Sequence, residues 1–239
     1  MERYQLFIDG QFCDASDGAV RATFNPATEE PIAEVPVATV EDARRAIAAA
    51  RKAFDEGPWP RMSPKDRAAA LGRVVEGLMA RQAELADLES RDSGATIRKT
   101  TLMDIPLGIE HFRLLVDLGA RLPTYEPLPW IDFPYVSWNF VNREPIGVCA
   151  GIIPWNFPFL MAVWKTAPAL IMGNTAVLKP ATDTPLSALE LARVIAEADL
   201  PPGVFNLLTG SGGVIGHELC TNPMVDKVAL TGSTETGRQ

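Results

Sequence analysis

The chain has 239 residues, a net charge of −8, 47% hydrophobic residues and 22% charged residues, which is the composition of an ordinary globular protein. The acidic balance, without a run of Lys or Arg, argues against polyanion binding, so we expect no nucleic-acid partner. The first residues lack a basic segment followed by a long apolar core, and no apolar stretch reaches membrane-spanning length, so we expect a cytoplasmic protein with no membrane partner.

The three cysteines are far apart in the sequence. Cys13, Cys149 and Cys220 have no CxxC or histidine-spaced partners. An odd, dispersed set predicts neither a disulfide framework nor a zinc site, and we expect no metal. Each cysteine is instead predicted to be a small buried hydrophobic side chain.

The chain is predicted to begin with a hairpin and to continue as helices. Two short apolar runs flank Asp9 and Gly10, a dipeptide that supplies the positive φ of a tight turn, which indicates a hairpin on the outside of the fold. Apolar residues recur at helical spacing over 40–54 and again over 71–88. The second helix is predicted to begin after Ser63, acting as its cap.

The stretch 121–145 is dominated by prolines and aromatic residues. Within 136–141, apolar or aromatic residues occupy every second position, which favours an extended arm over a core helix. Such an arm exposes apolar surface unless another surface covers it, so we expect it to mediate self-association.

Strands and helices alternate after Pro145. Strands are predicted at IGVCAGII, TAVLK, VFNLL and KVALTG, and helices at 158–173, from Thr184 to about Leu200, and after a glycine-rich turn. Strands that are apolar throughout and alternate with helices predict a parallel sheet covered on both faces. Ligands bind at the carboxyl ends of such strands, where this sequence has PWN, KPAT, TGSGG and TGSTETG.

Two glycine-rich segments are candidate nucleotide sites. TGSGGVIG, with Gly210, Gly212 and Gly216, is close to the dinucleotide pattern GxGxxG, but the spacing between its last two glycines, Gly212 and Gly216, is one residue too long. A plain tight turn explains the segment at least as well. GSTETG at 232–237 has hydroxyls that could meet a phosphate at a helix start. A simple N-cap at Ser233 or Thr234 is an equally good interpretation.

Two polar side chains lie at predicted strand ends. Asn156 falls between Pro154 and Pro158 at a strand-to-helix corner, and residues of this type are more often turn or cap residues than catalytic donors. Lys179 closes the strand TAVLK. It is either a solvated strand-end lysine, the commoner case, or a cation brought to the ligand-bearing edge to bind ribose hydroxyls or phosphate.

Several longer motifs together resemble one family. IIPWNFP, WKTAPALIMGNTAVLKPATDTP, LPPGVFNLLTG and VDKVALTGSTETG are similar in order and spacing to the cofactor-domain motifs of the NAD(P)-dependent aldehyde dehydrogenases, and FIDGQF and FNPATEE match the same family. The resemblance spans essentially the whole chain. It implies a Rossmann-like α/β fold with helices on both faces of the sheet, NAD or NADP as cofactor, and oxidation of an aldehyde to a carboxylic acid through a covalent thiohemiacetal.

The resemblance also implies roles for individual residues. Asn156 would donate its side-chain amide to the substrate oxygen as half of an oxyanion hole, and an amide suits this role because it donates without titrating. Lys179 would bind the adenosine ribose and Ser233 the pyrophosphate, which leaves the turn 210–216 as a close-packing site. The other implied cofactor contacts are Ile153, Pro154, Trp155, Ala181, Thr182, Gly212 and Gly232, with Gly212 near the adenine.

The cofactor preference depends on Thr182. Members of the family often have a Glu three residues after the ribose-binding lysine, and its carboxylate repels the extra phosphate of NADP. A neutral hydroxyl lacks this repulsion, so we expect NADP to be accepted along with NAD, although Asp183 would restore the repulsion if it turned inward. The alternative interpretation is that Thr182 only leads into a helix capped by Thr184 and that NAD is used regardless.

The resemblance implies further residues that cannot be assigned within 1–239. Family members continue into segments with a general-base Glu and a nucleophilic Cys, whereas Glu235 lies inside the cofactor motif and Cys149 lies in an apolar strand. Two interpretations follow: the amino-terminal part of an aldehyde dehydrogenase, which we favour, or a nucleotide-binding or interaction module without catalytic activity. A Ser–His hydrolase is disfavoured because no GxSxG occurs.

The predicted organisation has three parts. Residues 1–120 form a hairpin and the helical part of the cofactor domain, 121–145 form an extended oligomerisation arm, and 146–239 form the Rossmann-like NAD(P)-binding portion. Family members are dimers or tetramers, so we expect a homo-oligomer that acts on a small aldehyde, whose identity the sequence leaves open.

Overall fold

The computed structural model describes residues 1–238 and confirms an α/β fold built on a largely parallel sheet. In spatial order its strands are β11 (Lys227–Leu230), β8 (Val148–Ile152), β9 (Thr175–Lys179), β10 (Phe205–Leu207), β2 (Leu6–Ile8) and β3 (Gln11–Cys13). The first four are mutually parallel, and β2 and β3 extend the sheet with antiparallel pairing.

Helices cover both faces of this sheet, as the apolar strands predict. The helix α1 (Val40–Asp55) packs on one face, and α6 (Pro158–Ile171) and α7 (Leu186–Glu197) pack on the other. Side chains of successive strand residues point to opposite faces, so Val177 joins the core under α1 and Leu178 joins the core under α6 and α7.

The predicted amino-terminal hairpin forms, but its predicted position outside the fold is wrong. Asp9 and Gly10 have φ of 52° and 76°, as a two-residue turn with both central residues at positive φ requires. The strand β2 is fully buried and pairs with β10, and the backbone N–H of Asp9 donates to Asn206 Oδ1 at 2.9 Å. The hairpin therefore completes one edge of the main sheet.

The helical part differs from the sequence prediction in one respect. The predicted continuous stripe over 71–88 is divided at Arg81 into α2 (Pro64–Ala80) and α3 (Gln82–Ser93). The predicted cap at Ser63 is confirmed, because its side chain accepts from the backbone N–H of Asp66 at 3.1 Å. Both α2 and α3 pack against α7.

The remaining elements complete the layers around the main sheet. A small sheet consists, in spatial order, of β1 (Glu2–Arg3), β5 (Pro31–Pro36) and β4 (Val20–Phe24). The π-helical turn Thr100–Asp104 joins α4 (Ile97–Lys99) to α5 (Ile105–Arg121). The last helix is α8 (His217–Thr221), which follows the π-helical turn Gly212–Gly216, and the 3₁₀ turns are Trp59–Arg61 and Thr236–Arg238.

The stretch 121–145 forms an extended pair of strands outside the main sheet. The strands β6 (Tyr125–Pro127) and β7 (Phe140–Asn142) pair only with each other within residues 1–238. Large apolar side chains in and between them face solvent, and Trp138 is 83% exposed. The extended conformation agrees with the sequence pattern, and the role in self-association stays a prediction.

Two helix ends near the sheet are held by distant residues. At the carboxyl end of α6, Arg67 Nε donates to the carbonyl of Ile171 at 2.8 Å. At the start of α7, the predicted cap at Thr184 is wrong: the backbone N–H of Leu186 donates to Asp92 Oδ2 at 2.9 Å.

Across residues 1–238, none of the helices is long and apolar enough to cross a membrane.

Candidate functional site at the carboxyl edge of the sheet

The carboxyl ends of the parallel strands meet at one edge of the sheet. In the strand register, Ile152 at the end of β8 lies beside Leu230 of β11 on one side and Lys179 of β9 on the other. Leu207 of β10 lies beside Leu178. Lys179 is itself the last residue of β9, and the loops that follow the four strands contain the other site residues predicted from the sequence. The structure therefore brings these residues to a common edge.

The loop after β8 connects the sheet to α6 and exposes two side chains. Ile153 is buried, and its backbone N–H donates to the carbonyl of Lys179 at 3.1 Å, which ties this loop to β9. Pro154 is half-buried, whereas Trp155 is 65% exposed and Asn156 is also exposed. The Asn156 amide therefore lies on the surface of the site, two residues before α6 begins.

Lys179 is buried, which excludes the interpretation of a solvated strand-end lysine. It is 3% exposed, and its Nζ donates to the carbonyl of Pro180 at 2.7 Å. Burial lowers the pKa of this amine from 10.5 to about 8, because the ammonium loses hydration that one carbonyl does not replace. The site edge therefore contains a lysine that titrates close to neutral pH.

The loop after β9 is linked to its neighbours by side-chain hydrogen bonds. Ala181 and Thr182 are half-buried, and Thr182 Oγ1 donates to the carbonyl of Gly210 at 3.0 Å. Asp183 points outward and pairs with Arg21 at 2.9 Å, and the same guanidinium donates to the carbonyl of Thr182 at 3.1 Å. A cation thus lies beside Thr182, and the Asp183 carboxylate is already paired.

The glycine turn after β10 is closely packed at Gly210 and open at Gly212. Gly210 has φ of 140°, and a Cβ there would lie 2.8 Å from Cδ1 of Ile215. Among the described residues, no packing neighbour lies within 4 Å of a Cβ placed at Gly212. The close packing predicted for this turn is therefore present at Gly210. Gly212 lies on an open surface, and its implied position near the adenine stays a prediction.

The loop after β11 has an exposed Gly232 and an exposed Ser233. Ser233 Oγ accepts from the backbone N–H of Thr236 at 3.1 Å, so Ser233, and not Thr234, is the cap of the short turn that follows. Ser233 Oγ also lies 2.9 Å from Thr236 Oγ1, and either hydroxyl can be the donor of that hydrogen bond. When Thr236 donates, the Ser233 hydroxyl is free to donate to a bound phosphate, so the local cap and such a contact are compatible.

The three cysteines differ in exposure. Cys149 is buried, and burial raises the pKa of its thiol. Cys13 is half-buried and Cys220 is exposed, so the prediction that each is a buried hydrophobic side chain is wrong for these two. All three are free thiols, and no group of three or more His, Cys, Asp or Glu side chains within residues 1–238 could hold a metal ion.

Sequence reasoning missed two buried carboxyl groups next to this edge. Glu89 and Asp92 lie on α3 and contact the starts of α6 and α7. Both fall on the same stripe as the buried Leu85 and Leu88, and an acidic side chain on an apolar stripe is the signal that could have found them.

Comparison with known proteins decides the family. The model described as "Aldehyde dehydrogenase family" matches residues 12–239. The chain belongs to the aldehyde dehydrogenase family. The mitochondrial benzaldehyde dehydrogenase of Antirrhinum majus is 43% identical over 234 residues, which are 98% of this chain and 43% of that protein. The cytosolic 10-formyltetrahydrofolate dehydrogenase of Xenopus laevis is 42% identical over 241 residues, which are 99% of this chain and 26% of that protein.

Solved structures of aldehyde dehydrogenases have the same fold. The NAD⁺ complex of an aldehyde dehydrogenase from Bacillus cereus superposes with a TM-score of 0.93 at 39% identity, and the match covers 99% of this chain and 48% of that chain. The chain thus spans about a quarter to a half of the length of these aldehyde dehydrogenase relatives. The family resemblance seen in the motifs is confirmed.

Proposed function

We propose that this chain forms the cofactor-binding part of an NAD(P)-dependent aldehyde dehydrogenase, which oxidises an aldehyde to a carboxylic acid. The observation that carries the proposal is the convergence of Asn156, Lys179, Thr182 and Ser233 at one edge of a parallel sheet, where Lys179 ends a strand and the other three lie on loops. Such an edge is where parallel α/β sheets bind their ligands. The NAD⁺ complex of the Bacillus cereus relative adds support.

The residues at this edge fit a dinucleotide. The surface at Gly212 is open, and Ser233 offers a hydroxyl. Lys179 would contact the adenosine ribose, Ser233 and Gly232 the pyrophosphate, and Thr182 the ribose. The further contacts would come from Ile153, Pro154, Trp155, Ala181 and Gly212. When bound, the nicotinamide would accept a hydride from the substrate carbon.

Asn156 is the residue of this chain proposed to act on the substrate. Attack by a thiolate places negative charge on the aldehyde oxygen, and the exposed Asn156 amide would donate a hydrogen bond to it. A preorganised donor of this kind is worth about 3–4 kcal/mol in the transition state. Because an amide does not titrate, its contribution should not vary with pH.

The pairing of Asp183 with Arg21 supports acceptance of NADP as well as NAD. An inward carboxylate would repel the additional phosphate of NADP, and here the Asp183 carboxylate is directed to Arg21. The Thr182 hydroxyl donates to Gly210 and still has lone pairs for a ribose hydroxyl. We propose that both cofactors bind, and that the exposed arm at 121–145 joins subunits of a dimer or tetramer.

The test of the catalytic proposal is Asn156→Ala in the complete protein. We expect kcat to fall by about a hundredfold or more while the Kd for NAD changes little. Asn156→Asp, which replaces the amide donor by an acceptor of the same shape, should be impaired as strongly. Unchanged kcat in the alanine variant would remove Asn156 from the site. A wild-type protein that binds neither NAD nor NADP would refute the whole proposal.

A further inference from the structure

One face of α3 buries two carboxyl groups. Glu89 is 0% exposed and Asp92 is 2% exposed. Residues three apart in a helix share a face, so the two side chains lie next to each other in the same interface. Burial of a carboxyl group costs free energy unless hydrogen bonds compensate it. The partners of these two groups therefore indicate what they do.

Each carboxyl group accepts a backbone N–H from the first turn of a different helix. Phe159, the second residue of α6, donates to Glu89 Oε1 at 3.2 Å. Leu186, the first residue of α7, donates to Asp92 Oδ2 at 2.9 Å. These N–H groups have no acceptor within their own helices, so α3 supplies the cap for both.

The two capped helices begin directly after the loops of the candidate site. The helix α6 begins two residues after Asn156, and α7 begins four residues after Thr182. At its other end α6 is fixed by Arg67, which donates to the carbonyl of Ile171. A shift of either first turn would therefore move the loop that precedes it.

We propose that Glu89 and Asp92 are positioning residues for two separate parts of the site. Glu89 fixes the start of α6 and with it the loop of Asn156. Asp92 fixes the start of α7 and with it the loop that follows Lys179 and contains Thr182. The inference rests on the proposed function, because it assigns the first loop to the substrate and the second to the cofactor.

The positioning of the helix starts depends on the hydrogen bonds that Glu89 and Asp92 accept, and not on the negative charge of the two carboxyl groups. The second oxygen of each group, Glu89 Oε2 and Asp92 Oδ1, has no hydrogen bond of ordinary geometry among residues 1–238. The Ser187 hydroxyl on α7 nevertheless lies close enough to Glu89 to oppose the effect of burial on its pKa. Burial raises the pKa of Glu89 to about 7 and that of Asp92 to about 8, so the uncharged acid is accessible near neutral pH. An amide of the same shape can accept the same N–H, which makes Glu89→Gln and Asp92→Asn rescue variants.

Steady-state kinetics and NAD titration of the complete protein test this division. Asp92→Ala should raise the Kd for NAD about tenfold and leave kcat at saturating cofactor within about twofold. Glu89→Ala should lower kcat about tenfold and leave the Kd within about twofold. The rescue variants should recover most of each loss. Asp87→Ala, which removes an exposed carboxylate of α3 paired with Arg91, is the matched control and should change neither.

Hydrogen exchange on the complete protein gives a readout independent of activity. Glu89→Ala should increase exchange around 156–163, and Asp92→Ala should increase it around 182–190. If an alanine variant does not fold, Glu89→Asp or Asp92→Ser takes its place and must give the same separation.

Any of three results would overturn the inference. They are proportional losses of kcat and NAD affinity in both alanine variants, amide variants that are as impaired as the alanine variants, and unchanged hydrogen exchange at both helix starts. A wild type that neither binds NAD nor oxidises aldehydes would instead refute the proposed function, while the exchange data would still decide whether α3 holds the two helices.

Discussion

Replacement of Lys179 by methionine should weaken cofactor binding. The Nζ atom donates to the carbonyl of Pro180 at 2.7 Å in a site where the side chain is 3% exposed, so it is held in place at the edge of the sheet. A hydrogen bond from a charged donor contributes about 1.5–3 kcal/mol. If Lys179 binds the adenosine ribose, Lys179→Met should therefore raise the Kd for NAD about 10- to 150-fold at pH 7.

The pH dependence of binding separates this role from a general disturbance. Burial lowers the pKa of Lys179 to about 8, so the amine is mostly protonated at pH 7 and loses its proton as the pH rises above 8. The Kd of the wild type should rise between about pH 8 and 9.5, and the Kd of Lys179→Met should stay flat over that interval. Quenching of tryptophan fluorescence on titration with NAD measures both. Equal Kd values, or parallel pH profiles, would refute the assignment.

Lys179→Met should increase the thermal stability of the protein although it weakens the binding of NAD. The pKa of Lys179 is lowered from 10.5 in the unfolded chain to about 8 in the folded protein, so the unfolded state binds more protons between these values. Stability should therefore rise as the pH increases from about 8 to 10.5, and at pH 7 the folded protein bears the full desolvation cost. Methionine removes that cost, so Lys179→Met should raise Tm at pH 7 while it weakens NAD binding.

Three further predictions concern the cofactor, the arm and the buried acid. Thr182→Glu should raise the Kd for NADP about tenfold, or about 1.4 kcal/mol, and spare NAD, and equal losses for both cofactors in paired titrations would refute this. The complete protein should self-associate, and Trp138→Asp combined with Phe133→Ser should lower its mass in sedimentation, whereas a monomeric wild type at micromolar concentration would count against the arm. Burial raises the pKa of Glu89 from 4.5 to about 7, so wild-type stability should fall as pH rises from about 4.5 to 7, and Glu89→Gln should lose that part of the slope. Identical curves of Tm against pH for wild type and variant would contradict it.

The order of elements could be predicted because it depends on short-range patterns. Apolar strands, helical spacing and the turn at Asp9 and Gly10 each involve neighbouring residues, and the structure has these elements. The position of the hairpin could not be predicted in this way. It depends on Asn206, which lies 197 positions from Asp9 and accepts its backbone N–H. The prediction of Thr184 as the cap of α7 was wrong for the same reason, because the acceptor is Asp92, which is 94 positions from Leu186.

The candidate site could likewise be predicted only in part. The alternation of apolar strands with helices was enough to place Asn156, Lys179 and Ser233 at one edge of the sheet, because parallel strands end together. The state of each side chain was not predictable, since it depends on what packs around it: the burial of Lys179 depends on the surrounding loops, and the outward turn of Asp183 depends on Arg21 in a different sheet.

The buried ionisable groups near this edge argue that it is not arranged for stability alone. Burial shifts the pKa of Lys179, Glu89 and Asp92 towards neutrality, which means that each charged form destabilises the folded state. An apolar side chain at any of these positions would avoid that cost. Each group instead supplies a hydrogen bond that fixes a loop or a helix start at the site. At these three positions the free-energy cost of burial is therefore accompanied by a hydrogen bond that places a cofactor or substrate loop of the proposed reaction.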